Sequence, residues 1–235
     1  MIFIGLPFRS FFAERCCSFM KTLIICTVGL WNFCQAQVFP LKSPDELKPL
    51  NVKVESVQYR GRDAVRVTGE GDGLQIAEVK GSSLLNGTIE VDVAGKPLPG
   101  ANPGARGFVG IAFRVEISDS ARYECFYLRP TNARAEDQLR RNHSTQYISV
   151  PGFPWHRLRR ENPGLYESYA DMVPGEWTKI KIVIRDKDAR LFVNNSDQPC
   201  LIVKDLKQGE TEGEIALWIG LGTEAFFSDL RVVME

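Results

Sequence analysis

Lysine is missing from residues 129–169, a stretch of the 235-residue chain that nevertheless holds seven arginines and both histidines. A merely solvated segment uses lysine as freely as arginine. Arginine's planar fork of donors, by contrast, matches carboxylates, phosphates, sulfates and sugar hydroxyls, and it stacks on aromatic rings. Excess charge is missing too, with 29 basic against 29 acidic residues. That balance excludes the strongly basic footprint of nonspecific nucleic-acid binding. Cysteine is scarce: Cys16, Cys17, Cys26 and Cys34 sit at the amino terminus, which leaves Cys125 and Cys200 for the rest of the chain. Both lie in apolar, strand-like runs, where a disulfide and two buried thiols are both open. There is no Cys-x-x-Cys pair, and His143 and His156 lack the i+4 spacing of a helical metal site, so zinc is not indicated. No apolar run reaches the roughly eighteen residues of a bilayer span.

What is present begins with a leader. Lys21 supplies a positive n-region, residues 22–33 form an apolar h-region, and Cys34-Gln35-Ala36 places small residues where a signal peptidase reads them. The reading is a removable segment 1–36 with its true start at Met20, and an exported product, secreted or periplasmic. Residues 37–50 then read as an N-terminal extension and 51–235 as a single domain, long enough to bury a sizeable core.

From Asn51 onward short alternating segments are separated by Gly, Pro, Asn and Asp, with no helical period. This pattern predicts an all-β, two-sheet antiparallel sandwich. Strands are expected at 52–58, 64–68, 74–79, 87–93, 107–117, 123–129, 145–150, 177–185, 189–194, 200–203, 214–219 and 225–233. About twelve strands suit a jelly roll better than an immunoglobulin-type module. Alternation assigns faces. Val109, Ile111, Phe113 and Val115 point one way, with Gly110, Ala112, Arg114 and Glu116 opposite. Phe126 and Leu128 point to the core, which sends Tyr123, Cys125, Tyr127 and Arg129 to the other face. Ile89, Val91 and Val93 point inward, with Glu90 and Asp92 outward. Trp218 faces away from Leu217 and Ile219, where an indole can stack on a sugar ring or simply cover the sheet. The segment 131–174 breaks the rhythm and reads as a long irregular insertion with one short strand near Tyr147. A loop of this length in a compact domain is functional or disordered, and its aromatics favour an ordered one.

The residues 177–185 followed by 189–194, together with Gly87-Thr-Ile-Glu-Val-Asp-Val93, 213–220 and Phe226-Phe-Ser-Asp-Leu-Arg231, resemble the strands of the concanavalin A-like lectin and glucanase superfamily, laminin-G-like modules included. The resemblance implies a curved double sheet whose concave face or adjoining loops bind carbohydrate, sometimes with calcium, and sometimes cleave it. Its motifs speak to fold more than to activity. Of the glucanases' Glu-x-Asp-x-x-Glu run, Glu90-Val-Asp92 offers two members and the closing Glu is absent. Glu116 is the distant acid that would complete a pair. Arg129, Asn132, His143, Gln146 and Tyr147 are the residue types with which jelly-roll lyases neutralise a uronate and move its proton, although the lyase strings themselves are absent.

The expected ligand-facing set is therefore Arg114, Tyr127, Arg129, Asn132, Arg134, Arg140, His143, Gln146, Tyr147, Trp155, Tyr166 and Trp218. His143, Tyr147, Glu90, Asp92 and Glu116 are the candidates should the protein be catalytic. The expected partner is a carbohydrate, acidic ones included, with no nucleic acid and no membrane span. A polysaccharide-degrading enzyme, either hydrolase or lyase, and a laminin-G-like protein-interaction module are the alternatives. No cofactor is expected. Asp186, Asp188, Asp197 and Asn194 are calcium-ligand types, but hairpin turns use the same residues for their own backbone bonds.

Overall fold

The computed structural model describes residues 36–118 and 120–235. The leader expectation falls on residues 1–36, almost wholly outside them. Among the described residues fifteen strands form two antiparallel sheets. In chain order they are β1 (Ala36–Phe39), β2 (Leu47–Leu50), β3 (Val52–Tyr59), β4 (Arg62–Gly69), β5 (Ile76–Val79), β6 (Gly87–Pro97), β7 (Val109–Ile117), β8 (Ala121–Leu128), β9 (Thr145–Val150), β10 (Glu167–Ser168), β11 (Thr178–Arg185), β12 (Asp188–Val193), β13 (Leu201–Val203), β14 (Glu214–Ile219) and β15 (Thr223–Met234). The first sheet runs β13-β12-β11-β6-β15-β4-β3, with β1 added along β15. The second runs β10-β9-β8-β7-β14-β5-β2. Among the described residues no helix is long and apolar enough to cross a membrane.

All twelve expected strands are present. Alternation is why they were legible, since each hides one apolar face. Val65, Val91, Val93, Ile180, Ile182 and Phe227 of the first sheet meet Val109, Ile111, Phe113, Phe126 and Leu217 of the second in one buried cluster. Asp186 adopts a left-handed φ of 52° in the two-residue turn that pairs Arg185 with Asp188. Cys125 and Cys200 are free thiols, and burial pushes both pKa values up, that of Cys200 to about 11.

Three features depart from the sequence reading. First, residues 36–50 are built into both sheets: β1 pairs with β15 and β2 with β5, joined by a short 3-10 helix whose Ser43 and Glu46 cap it reciprocally. Four-residue strands, β2 with Pro49 inside it, carry too little alternation to read. Second, the insertion is not irregular. It contains α1 (Pro130–Ala133), α2 (Gln138–Arg141), the full-length β9, α3 (Trp155–Glu161) and β10. Helices of four to seven residues are too short to show a helical period. Third, Val115 does not share the face of Phe113. A bulge at Arg114, with φ of 52° and a register shift between Phe113 and Glu116, turns Val115 onto the outer face of the second sheet.

Candidate functional site

Strand register builds the site on the outer face of the second sheet. Glu167 pairs with Gln146, Gln146 with Tyr127, Tyr127 with Gly110, and Gly110 with Trp218. Because side chains at paired positions share a face, these residues form one row across five strands. Gly110 in the middle of that row matters. A Cβ there would lie 2.2 Å from the Phe126 carbonyl oxygen and 2.5 Å from the Tyr127 Cβ. Its absence lets the rings of Tyr127 and Trp218 close over the gap to 4.7 Å between centroids.

The insertion roofs one end of this row. Trp155 and Arg159 stand one turn apart on α3, and the guanidinium of Arg159 lies 4.9 Å from the indole centroid. Arg129, the last residue before α1, lies 5.7 Å from the same indole and 5.1 Å from the Tyr127 ring. Trp155 thus remains 44% exposed while two guanidinium groups fix its position. Arg129 donates to Tyr127 Oη at 2.7 Å, to Gln146 Oε1 at 3.1 Å and to the His143 carbonyl at 3.2 Å. Burial raises the Tyr127 phenol to about 12, so it is a neutral acceptor for Arg129.

One buried carboxylate organises the cations. Glu167 accepts from Arg159 Nη2 at 2.5 Å and Nε at 2.9 Å, lies 3.1 Å from His143 Nε2, and stands 3.8 Å from Arg129 Nη1. A cavity of about 270 Å³, lined by Arg106, Phe108, Arg129, Asn132, Arg140, His143, Trp155 and Arg159, opens on one side of this network. A second, of about 630 Å³, lies on the other side and shares His143 and Arg159 with the first.

His143 is held toward its neutral form by burial and by Arg159 and Arg129, which together outweigh Glu167 and lower its pKa from 6.5. A lowered imidazole pKa means that the unfolded chain takes up its proton first, so stability rises with pH and falls as pH drops below about 6.5. Urea midpoints measured from pH 7.5 down to 5.5 are expected to decline in the wild type and to decline less in His143→Gln. An opposite slope would contradict the assignment.

The expected set divides cleanly. Tyr127, Arg129, Asn132, Arg140, His143, Gln146, Trp155 and Trp218 lie in the row or its roof. Four others do not. Tyr147 points between the sheets, fully buried, with its hydroxyl donating to Glu124 Oε2 at 2.6 Å. Tyr166 packs in the same core and donates to Asp205 Oδ2 at 2.7 Å. Arg114 is turned by its bulge to bind the carbonyls of Leu85, Asp186 and Gly209. Arg134 is an exposed partner of Asp171, at 2.9 Å. The carboxylate candidates are dispersed as well. Asp92 is paired with Arg62 and Lys179 on the first sheet, Glu90 lies beside the same Lys179, and exposed Glu116 pairs with Arg122. Glu167, Arg159 and Arg106 were missed. An acidic residue within an arginine-rich segment was the available signal for Glu167, whereas Arg106 carried none.

Two antiparallel sheets of eight and seven strands, packed face to face with Tyr127 and Trp218 on one outer face, define a jelly-roll β-sandwich. No protein-family profile matches the chain, and no curated protein matches it. Among solved structures it is similar to the carbohydrate-binding module CBM66 from Bacillus subtilis, with 12% identity over 80% of this chain and 95% of that one and a TM-score of 0.55. It is similar to a Bacillus subtilis protein of unknown function with a galectin-like fold, at 11% identity, 84% and 94% coverage and a TM-score of 0.56. A native glycosidic hydrolase matches at 11% identity, 84% and 95% coverage and a TM-score of 0.51. At such identities the likeness is one of fold.

Proposed function

We propose that this protein binds a glycan on the outer face of its second sheet, in the cavity beside Trp155 that residues of α2 and α3 help to line, and that it is exported. The observation that carries this reading is Trp155, a partly exposed indole clamped between Arg129 and Arg159 at a cavity lined by four arginines. An aromatic platform receives the apolar face of a sugar ring, while Arg129, Asn132 and His143 supply directional polar contacts for its hydroxyls. Fold neighbours that include a carbohydrate-binding module and a glycosidic hydrolase agree with the reading.

The test is titration of the described domain against a panel of neutral and acidic glycans, with release of reducing or unsaturated ends followed in parallel. Trp155→Ala is expected to weaken binding by about tenfold or more, because a centrally placed aromatic anchor contributes on the order of 2 kcal/mol, and to leave the fold unchanged. Unaltered affinity in that variant would sink the reading. Release of ends would convert the binder into a polysaccharide-degrading enzyme, with His143 beside Glu167 as the first group to test. Retention of no glycan would instead favour a laminin-G-like interaction module.

A further inference from the structure

Arg106 and Arg140 both line the smaller cavity, one from the loop preceding β7 and the other from α2. Neither forms an ion pair with a carboxylate among the described residues. The nearby acids are already committed. Glu167 serves Arg159 and His143, and Asp137 caps α2 by accepting the backbone N–H of Arg140 at 2.8 Å. Arg106 spends Nη1 on the carbonyls of Pro103 and Ala105, at 2.5 and 3.0 Å, and burial together with the charges of Arg140 and Arg129 pushes its pKa down. Like charges brought this close in a half-buried cavity repel one another, and they do so less when an anion lies between them. Asn132 adds a second, independent mark. It lines the same cavity, it is only 5% exposed, and its Oδ1 has no hydrogen-bond partner while its Nδ2 donates to the His143 carbonyl at 3.1 Å. A buried acceptor left unpaired beside two donor-only guanidinium groups complements a ligand carrying both an anion and a hydroxyl.

We infer that Arg106 and Arg140 form a subsite for an anionic substituent of the bound saccharide, a carboxylate or a sulfate ester, seated beside Trp155. This rests on the glycan reading and narrows it to acidic sugars. Arginine forks bind both oxyanions bidentately, and charge-assisted bonds of this kind are roughly twice as strong as neutral ones.

The experiment compares matched oligosaccharides of equal length, one neutral, one uronate-containing and one sulfated, by calorimetry with the wild type and with Arg106→Gln/Arg140→Gln. Neither side chain is part of the core, and circular dichroism checks that the variant folds. The wild type is expected to prefer one or both acidic ligands by about 10- to 100-fold, with the preference shrinking as salt is raised. The variant is expected to bind all three at the neutral ligand's affinity. Whether the uronate or the sulfate ester shows the preference identifies the anion. Equal wild-type affinity for acidic and neutral ligands, or an acidic preference that survives the double substitution, overturns the subsite while the glycan reading stands. Failure of the wild type to bind any saccharide fails that reading and the subsite with it.

Discussion

Glu167→Gln is expected to cost about 3 to 5 kcal/mol of folding stability and to abolish ligand binding at the roofed end of the site. The magnitude follows from what is left behind. The Glu167 side chain is 3% exposed and that of Arg129 only 7%, with Arg159 and His143 completing the cluster. Removing the single negative charge strands the buried Arg129 and the half-buried Arg159 without a counter-ion, and breaking a buried pair from one side is far more damaging than replacing the pair as a whole. Urea unfolding measures the loss. The double variant Glu167→Gln/Arg159→Gln should recover part of it, because one of the stranded cations goes too. A loss below about 1 kcal/mol in the single variant would mean that the cluster is solvated rather than buried.

Arg114→Ala is expected to destabilise the sandwich by a similar amount, about 3 to 5 kcal/mol, and to leave glycan affinity untouched. The residue is 1% exposed, and its guanidinium gathers acceptors from three separate segments. Nη2 donates to the Leu85 carbonyl at 2.8 Å, to the Asp186 carbonyl at 2.8 Å and to Asn86 Oδ1 at 3.2 Å, while Nη1 donates to the Gly209 carbonyl at 2.7 Å. A carbonyl that loses its donor away from water costs roughly 1 to 3 kcal/mol, and Arg114 serves three that are part-buried. Arg114→Lys should rescue little, because a single ammonium cannot serve acceptors spread around a planar fork. Unfolding curves and glycan titrations on both variants separate the two roles. A change in affinity without a change in stability would return Arg114 to the binding face.

These two residues show where the sequence was readable. Glu167 lay in view within the arginine-rich stretch, but nothing local tells a paired surface carboxylate from a buried one. Arg114 obeyed a strict period of two that assigned it to the ligand face. A single bulge breaks that period, and a bulge is set by the partner strands rather than by the residues on either side. Tyr147 and Tyr166 fell to the same kind of ambiguity: a tyrosine offers both an apolar body and a polar tip, and these two bury the first and satisfy the second in the core.

Local chemistry alone was enough for the twelve longer strands, for most of their inward faces and for the Asp186 turn, since alternation and turn residues are written within a few positions of one another. It placed Tyr127 and Trp218 on outer faces, and it singled out Arg129, Arg140, His143 and Trp155. Tertiary structure alone decided that Tyr127 and Trp218 meet across Gly110, that Glu167 neutralises Arg159 and Arg129, and that Arg106 approaches Arg140. Those contacts depend on register between strands far apart in the chain and on how the insertion folds back over the sheet. A one-residue slip in either would send every one of these side chains elsewhere, and no pattern within a single segment encodes its register with another.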